Sequence, residues 1–503
     1  MICSTIGEIL DYAAERFGTG DALRYKVKKD TIESKSYREL KSDSERFSRL
    51  LDELGEKGGS HIAVTGMTSY SWLVTYLGTV CSGRVAVPLD VSLPAGDMCE
   101  LIDRADVTVL VLDQLRQDVA AMVKEKCPKV RHVIIMNEKQ RQEGDLYFDD
   151  LLRGQTDGYS FSPDPDSLCT IMFTSGTTGK SKGVMLTHRN MAENATCLDM
   201  KLPERSVVLT VLPIHHAYCL SMDILKGFSL GAILCINDSL LRVAKNIKLF
   251  QPNMILMVPL MIETMARKLE DAAGLPPQLV RKEVFGENLT TIFSGGAYLN
   301  PALIDLFEKY GITIQQGYGM TECSPVISTN LSWNIRKDSV GQLMPNCQAK
   351  SVDGELWVKG SSVMMGYYKM PEETAEALED GWLKTGDLGY VDQDNFVYLT
   401  GRKKNLIITK NGENVSPEEL ENKIGENRLL LEVLVRENEG MIEAEIFPDY
   451  EYAKKQGIED MRAALQKIID QYNLNAPAYK KVYRLKVRET EFEKTPSRKI
   501  KRY

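Results

Sequence analysis

The chain has 503 residues, 43% of them hydrophobic and 26% charged, with a formal net charge of -8 at pH 7. This length exceeds what one hydrophobic core usually spans, so we expect about two to four structural units. The acidic balance argues against a protein whose main partner is a nucleic acid, because a nucleic acid backbone requires a basic surface.

The cysteines and the N-terminus favour a reducing, cytoplasmic compartment. The ten cysteines are scattered, with no C-x-x-C pair and no clustering with the five histidines. This pattern predicts buried thiols in a reducing compartment. The N-terminus lacks a basic segment followed by an apolar one, and the longest apolar stretch, residues 254–262, is about half a membrane span. We therefore expect a cytoplasmic protein with no integral membrane segment.

The first two thirds of the chain predict layered α/β structure. Residues 6–54 mix helical spacing of apolar residues with short strand signals. Beyond them, an apolar run, a turn and an amphipathic helix recur. The runs begin at His61, Val85, Val107, Val133, Val207, Ala232, Met254 and Thr291. Continuous apolar runs between helices predict mostly parallel strands covered on both faces.

The pattern changes after about residue 348. Residues 355–359 and 396–400 alternate with turn residues, which predicts antiparallel strands and hairpins. Ser416 as N-cap and Pro417 as first helical residue, followed by acidic residues, predict the start of a helix. The predicted fold class is α/β, with a large N-terminal domain of stacked α/β subdomains, a small β-rich subdomain and a small α+β C-terminal domain.

A loop rich in glycine, hydroxyl and lysine side chains follows the apolar run at Cys169. Its sequence is Thr174-Ser-Gly-Thr-Thr-Gly-Lys-Ser-Lys-Gly-Val184. Glycines let a backbone wrap around an anion, and N–H groups, hydroxyls and lysines donate to it. A Walker A motif would need a glycine at Thr174, so the loop predicts a phosphate site of another kind. The alternative is a flexible surface turn.

The segment Gln316-Gly-Tyr-Gly-Met-Thr-Glu322 begins like a dinucleotide-binding fingerprint. Glu322 stands where that fingerprint needs its third glycine, which excludes a Rossmann interpretation. The segment instead offers an aromatic ring, a hydroxyl and a carboxylate near a turn. Mg²⁺ prefers one or two carboxylates plus phosphate oxygens, so one glutamate suffices. The alternative for Tyr318 is a core aromatic.

These segments resemble motifs of the adenylate-forming superfamily, which comprises acyl-CoA synthetases, peptide-synthetase adenylation domains and luciferases. Further similar segments follow in the family's order over nearly the whole chain. They are Ser294-Gly-Gly-Ala, Gly354-Glu-Leu-Trp-Val-Lys-Gly, Trp382-Leu-Lys-Thr-Gly-Asp-Leu-Gly, Gly401-Arg-Lys-Lys-Asn-Leu-Ile-Ile, Gly412-Glu-Asn-Val-Ser-Pro and Lys494-Thr-Pro-Ser-Arg-Lys-Ile-Lys-Arg. In overall style the chain looks most like bacterial fatty-acyl-CoA synthetases.

The resemblance implies a nucleotide site for ATP and AMP. Its residues would be Thr174, Ser175, Gly176, Thr177, Thr178, Gly179, Lys180, Lys182, Gly295, Gly296, Ala297, Gln316, Gly317, Tyr318, Gly319, Thr321, Asp387 and Arg402. Tyr318 would pack against adenine, Thr321 would contact the α-phosphate, and Glu322 would bind Mg²⁺. Asp387, on a turn, would bind the ribose together with Arg402.

The resemblance also implies a mobile C-terminal domain. The domains would be residues 1–401 and 405–503, joined by a hinge at 402–404 that includes Lys404. Lys499 aligns with the family's adenylation lysine, and the catalytic residues would be Lys499, Thr174 and Glu322. Arg498 stands where the family commonly has glycine, and Lys501 is a nearby alternative for the role. Rotation would withdraw Lys499 and bring Gly412 to a tunnel for the thiol.

The implied reaction joins a small carboxylic acid to ATP. A carboxylate is already ionised near pH 7, so this half-reaction needs no general base. It needs alignment and charge neutralisation, which Mg²⁺, the loop at residues 174–182 and Lys499 would supply. The thiol of coenzyme A, or the phosphopantetheine of an acyl or peptidyl carrier protein, would then attack the acyl-adenylate.

Residues 212–218, Leu-Pro-Ile-His-His-Ala-Tyr, resemble the family's acyl-binding segment. The acyl contacts would be His216, Tyr218 and Gly296. Amino-acid adenylation domains usually have an aspartate near this segment, and its absence favours an uncharged acyl chain. Asp223, slightly downstream, leaves an amine-bearing substrate open.

Three functions therefore remain. They are a medium- or long-chain fatty acyl-CoA ligase, a stand-alone ligase that loads an acyl or aryl acid onto a carrier protein, and a non-catalytic acyl- or nucleotide-binding homologue. The third predicts lost catalytic positions, yet Thr174, Glu322, Asp387 and Lys499 are all present.

Overall fold

A computed structural model of the chain describes residues 2–28, 31–174, 181–272, 274–409, 412–494 and 500–502. Contacts divide the chain into two compact units. The first comprises Met1–Ala349 and Val358–Leu383, and the second comprises Lys350–Trp357 and Lys384–Tyr503.

The strands are named in chain order. The first nine are β1 (Asp21–Lys28), β2 (Thr31–Ser36), β3 (His61–Thr65), β4 (Val85–Leu89), β5 (Val107–Asp113), β6 (His132–Met136), β7 (Leu146–Tyr147), β8 (Leu168–Thr174) and β9 (Lys182–Thr187). Next come β10 (Val207–Thr210), β11 (Ile233–Ile236), β12 (Met254–Met257), β13 (Thr291–Ser294), β14 (Thr313–Gly319), β15 (Val326–Thr329), β16 (Gln342–Leu343), β17 (Cys347–Val352), β18 (Glu355–Gly360) and β19 (Gly366–Tyr367). The rest are β20 (Leu378–Glu379), β21 (Trp382–Val391), β22 (Val397–Arg402), β23 (Ile407–Ile408), β24 (Asn414–Val415), β25 (Leu430–Asn438), β26 (Met441–Pro448) and β27 (Arg484–Val487).

The α-helices are named in the same way. The first eight are α1 (Ile6–Phe17), α2 (Tyr37–Glu53), α3 (Tyr70–Val80), α4 (Ala95–Arg104), α5 (Gln117–Lys126), α6 (Phe148–Arg153), α7 (His188–Thr196) and α8 (Lys226–Ser229). The others are α9 (Val243–Phe250), α10 (Pro259–Asp271), α11 (Pro277–Phe285), α12 (Pro301–Glu308), α13 (Pro371–Ala377), α14 (Pro417–Ile424), α15 (Tyr450–Lys455) and α16 (Met461–Asn475). In the described ranges none of these helices is long and apolar enough to cross a membrane.

The first unit contains an eight-stranded sheet in the order β19-β9-β8-β4-β3-β5-β6-β7. From β8 to β7 the neighbouring strands pair parallel, whereas β9 pairs antiparallel with β8 and β19 pairs antiparallel with β9. Every residue of β4 is buried, as expected for a parallel strand covered on both faces. The predicted α/β layers with mostly parallel strands are confirmed.

A nine-stranded sheet, in the order β16-β15-β14-β13-β12-β10-β11-β1-β2, completes the first unit. Its central strands are parallel and in register, as the partners Met257, Ser294 and Gln316 on β12, β13 and β14 show. The carboxyl ends of these strands therefore meet at one edge, which is where open α/β sheets bind ligands.

The second unit contains the three-stranded sheet β25-β26-β27. A separate hydrophobic core unites it with α14, α15 and α16 through residues such as Leu420, Ile446 and Leu465. A five-stranded sheet has the order β17-β18-β21-β20, with β22 on β21, and contains the predicted antiparallel pairing.

The predicted start of α14 is confirmed, with Ser416 at the N-cap position. Ser416 precedes α14 and Pro417 is its first residue, as expected, but the Ser416 side chain does not cap the described helix. Its hydroxyl donates instead to the Glu418 carboxylate at 3.1 Å. A nearby carboxylate thus competes with the backbone for this serine.

Candidate active site

Two of the predicted phosphate-binding residues, Thr174 and Lys182, lie at the ends of two paired strands. Thr174 ends β8, Lys182 begins β9, and their Cα positions are direct partners. Directly opposed residues share one face of a sheet, so the hydroxyl and the ammonium can serve one anion. The remaining predicted members, Ser175, Gly176, Thr177, Thr178, Gly179 and Lys180, lie outside the described residues.

Residues 364–368 connect β9 to the turn that bears Glu322. The Met364 N–H donates to the Glu322 carbonyl oxygen at 2.9 Å, and the Tyr368 N–H donates to the Gly183 carbonyl oxygen at 2.8 Å. One short segment is therefore bonded through its main chain to both halves of the predicted site.

Tyr367, in this segment, contacts two predicted site residues. Its hydroxyl donates to Glu322 Oε1 at 3.0 Å, and Lys182 Nζ lies 4.7 Å from the centroid of its ring. Burial and the neighbouring Glu322 carboxylate raise the pKa of Tyr367, so the phenol stays protonated and acts as a donor. Sequence reasoning missed this residue, because Tyr367 and Glu322 are 45 positions apart.

The predicted adenine and α-phosphate residues gather where β13 and β14 end. Ser294 and Gln316 are direct partners there, and the Gln316 side chain donates to the Lys337 carbonyl oxygen at 2.9 Å. Tyr318 is 8% exposed. A Cβ on Gly319 would lie 1.8 Å from the Pro325 carbonyl oxygen, so this close approach requires glycine. The predicted residues at or just beyond these strand ends are Gly295, Gly296, Ala297, Gln316, Gly317, Tyr318, Gly319 and Thr321.

The predicted acyl segment contacts this edge. A Cβ on Gly295 would lie 3.1 Å from the Tyr218 ring. The His215 and His216 rings lie 4.3 Å apart. Desolvation by the surrounding protein lowers the pKa of both histidines, including His216, whose side chain still reaches solvent. Both rings are therefore neutral near pH 7.

Asp223 follows in a π-helical segment, Cys219–Leu225. Its side chain is buried, and among the described residues its Oδ1 has no hydrogen-bond partner. Burial raises the pKa of Asp223 well above its usual value, because desolvation disfavours the ionised carboxylate.

The predicted ribose residues pair with each other in the second unit. Arg402 Nε lies 2.8 Å from Asp387 Oδ1, and the two residues are partners on β21 and β22. The Asp387 N–H donates to the Thr385 hydroxyl at 3.1 Å. The expected turn at Asp387 is wrong, because the residue lies within β21. Asp387 is 5% exposed, whereas the Arg402 side chain is 44% exposed.

The remaining predictions concern the second unit. Lys404 is exposed, and partial desolvation lowers its pKa. Gly412 has a φ of 80°, and a Cβ there would have no described neighbour within 4 Å. Lys499 lies outside the described residues, as does Arg498. Lys501, the alternative, has its Nζ 3.7 Å from Glu493 and is 48% exposed.

The residues present fit a magnesium ion that is shared with phosphates. Within the described ranges, no group of three His, Cys, Asp or Glu residues could hold a metal ion by itself. Glu322 is 9% exposed, and Tyr367 contacts both its carboxyl group and the Lys182 ammonium. One carboxylate with several phosphate oxygens is an ordinary Mg²⁺ environment.

Family models match both parts of the chain. One described as AMP-binding enzyme matches residues 10–368, and one described as AMP-binding enzyme C-terminal domain matches residues 404–503. The chain belongs to the AMP-binding enzyme family. This AMP-binding enzyme is an AMP-forming ligase that uses ATP, and its resemblance to the adenylate-forming superfamily is confirmed.

Curated relatives match over most of the AMP-binding enzyme. The long-chain-fatty-acid–CoA ligase ACSBG2 of Mus musculus is 26% identical over 84% of this chain and 73% of its own length. A long-chain-fatty-acid–CoA ligase of Bacillus subtilis is 28% identical over 86% of this chain and 82% of its own length.

Solved structures share the fold. The anthranilate CoA ligase AuaEII, in complex with anthranoyl-AMP, aligns with a TM-score of 0.87 at 21% identity, over 99% of this chain and 95% of that one. ATP-bound MatB from Rhodopseudomonas palustris aligns with a TM-score of 0.82 at 23% identity, over 98% and 96%. The predicted fold class, a large N-terminal domain with a smaller C-terminal one, is confirmed.

Proposed function

We propose that this AMP-binding enzyme converts a medium- or long-chain fatty acid into its acyl-adenylate, releases pyrophosphate, and transfers the acyl group to the thiol of coenzyme A. The names of both curated relatives support this acid and this acceptor. The observation that carries the proposal is that burial disfavours the charged forms of the histidines and of the aspartate within residues 212–225.

A neutral acyl site suits an alkyl chain. Each buried CH₂ group contributes about 0.8 kcal/mol, and it does so without desolvating a charge. An ammonium-bearing acid would instead need an ionised carboxylate beside it, and burial disfavours ionisation of Asp223. The acyl contacts would be His216, Tyr218 and Gly296.

The first half-reaction brings two anions together. Thr174 and Lys182 would hold the phosphates, and Lys499 would align the acid with the α-phosphate. Glu322 would hold Mg²⁺, which neutralises phosphate charge. The fatty acid is already ionised at neutral pH, so no side chain has to remove a proton.

The second half-reaction uses the C-terminal part of the chain. Asp387 and Arg402 would bind the ribose hydroxyls throughout. We propose a hinge at residues 402–404, with Lys404 absorbing the rotation and Gly412 bordering the path of the thiol. The phosphopantetheine arm of coenzyme A is bulky, so a glycine with open space beside it favours its approach.

Exchange of labelled pyrophosphate into ATP tests the first half-reaction. Lauric and palmitic acids should support exchange, whereas aryl and α-amino acids should not. Coenzyme A should then release AMP faster than a phosphopantetheinylated acyl carrier protein does. Exchange with an amino acid only, or transfer to the carrier protein only, would contradict the proposal.

Asp223→Asn should leave fatty acid activation nearly unchanged. Because burial favours the protonated carboxyl group, we expect asparagine to replace it without removing a charge, and exchange with palmitic acid should stay within about threefold of the wild type. A loss of about a hundredfold, confined to an amine-bearing acid, would show that Asp223 is ionised and binds an ammonium group.

The same variant should change how stability depends on pH. The Asp223 carboxyl ionises near pH 4 in the unfolded chain but at higher pH when folded, so its contribution to stability is present below about pH 4 and is lost as pH rises. The melting temperature of Asp223→Asn, relative to that of the wild type, should therefore be higher at pH 8 than at pH 5. Equal differences at both pH values would contradict a protonated Asp223.

A further inference from the structure

We propose that Tyr367 is a positioning residue for ATP activation, its hydroxyl orienting the Glu322 carboxylate and its ring supporting the Lys182 ammonium. The proposal rests on the proposed function for the assignment of Glu322 to Mg²⁺ and of Lys182 to the phosphates. It adds a residue that joins these two groups.

Tyr367 contacts the two opposite charges through different parts of its side chain. The hydroxyl lies 3.0 Å from Glu322 Oε1, and the ring centroid lies 4.7 Å from Lys182 Nζ. A phenol that donates to a carboxylate forms a charge-assisted hydrogen bond, and an ammonium over a ring forms a cation–π contact. Each charged group therefore gains a fixed support that leaves its charge in place for the metal and the phosphates.

The backbone of Tyr367 is itself held on two sides. Tyr367 pairs with Val184 on β9, and its N–H donates to the Thr374 hydroxyl at 2.9 Å. A Cβ on Gly366 would lie 2.6 Å from the Thr374 side chain, so helix α13 approaches this strand closely. A residue that orients a ligand must itself be held in place, and Tyr367 is buried, at 8% exposure.

Two linked parts of the site meet at this residue. Lys182 belongs to a strand of the eight-stranded sheet, and Glu322 follows β14 of the nine-stranded sheet. The metal ligand and the phosphate ligand must act on one triphosphate, so their separation has to be fixed. Tyr367 contacts both groups, so its side chain adds to the main-chain bonds of residues 364–368 in fixing this separation.

The next residue provides a matched control. The Tyr368 hydroxyl donates to Asp106 Oδ2 at 2.6 Å, and its ring packs against His61 with centroids 5.3 Å apart. Tyr367 and Tyr368 thus each form a phenol–carboxylate bond from the same segment. Only the Tyr367 bond involves a predicted ligand of the nucleotide.

Calorimetric titration of the full-length protein with ATP tests the proposal. Tyr367→Phe should raise the Kd for ATP in excess Mg²⁺ about tenfold and leave the Kd in excess EDTA within about twofold of the wild type. Tyr368→Phe should leave both values within about twofold. Added to Glu322→Gln, Tyr367→Phe should have no further effect, because it acts through that carboxylate.

Tyr367→Leu tests the contact with Lys182. Since it removes the ring as well as the hydroxyl, it should weaken ATP binding in EDTA by about threefold, which Tyr367→Phe should not do. Should Tyr367→Phe not fold, Tyr367→His keeps a ring and an N–H donor and should retain most of the Mg²⁺ dependence.

Three results would overturn the proposal. They are an unchanged Mg²⁺ dependence in Tyr367→Phe, the same change in Tyr368→Phe, and full additivity with Glu322→Gln. The titration contains neither acid nor thiol, so an error in the proposed fatty acid or coenzyme A would leave its outcome unchanged. Failure of exchange with every fatty acid, in contrast, would count against the proposed function alone.

Discussion

Lys499→Ala should lower acid-dependent exchange of pyrophosphate into ATP by about 10²- to 10³-fold, the loss typical of removing one donor aimed at developing charge. The reaction joins a carboxylate to a triphosphate without proton transfer, so a lysine that aligns the two anions has a large effect. Thioester formation from supplied acyl-adenylate and coenzyme A should stay within about threefold of the wild type, because the proposed rotation withdraws Lys499 before that step.

Lys501→Ala is the matched control. Its ammonium lies 3.7 Å from Glu493 at the surface, and an exposed pair of this kind contributes little. Exchange should therefore be unchanged in Lys501→Ala. If Lys501→Ala loses exchange and Lys499→Ala does not, the alignment of the C-terminal segment is wrong by two positions. If both half-reactions fall equally in Lys499→Ala, the proposed rotation is wrong.

Asp387→Ala should raise the KM for ATP about thirtyfold, since the ribose hydroxyls lose a buried charged acceptor. The wild type should show a similar loss with 2′-deoxy-ATP or 3′-deoxy-ATP. In Asp387→Ala the deoxy analogues should be used as well as ATP, because the group that recognised the missing hydroxyl is gone. Steady-state exchange kinetics with the three nucleotides provide this comparison.

Glu443→Gln controls for the loss of a buried acid in the same unit. Glu443 accepts from Arg436 at 3.0 Å, as Asp387 accepts from Arg402 at 2.8 Å. Its substitution should affect stability but not discrimination between ATP and the deoxy analogues. Continued discrimination by Asp387→Ala would show that Asp387 supports Arg402 and does not itself bind the ribose.

The strands could be predicted where burial alone determines the pattern. The runs at Val85 and Val107 are mostly apolar because almost every residue of these two strands is buried, and this pattern is visible in the sequence. The order of the strands within the sheet has no comparable signal in the local sequence. β4 pairs with β8 across some eighty residues, and only the folded chain shows this pairing.

In the candidate site, too, residues with a local sequence signal could be predicted, whereas residues defined by long-range contacts could not. Gly319 and Glu322 lie in a segment whose local composition indicates a turn and a ligand. The position of Asp387 within β21 depends on its pairing with Arg402, so local turn propensity predicted the wrong conformation. Tyr367 depends on a contact between distant parts of the chain and has no local signal at all.

The bonds made by residues 364–368 explain how an active site can persist while its sequence diverges. Peptide N–H groups of this segment bind the Glu322 turn on one side and β9 on the other. Every residue except proline supplies such a group, so the spacing of the two parts does not depend on which side chains occupy positions 364 and 365. Homologues that share about a quarter of their residues with this chain can therefore inherit the dimensions of the site as main-chain geometry.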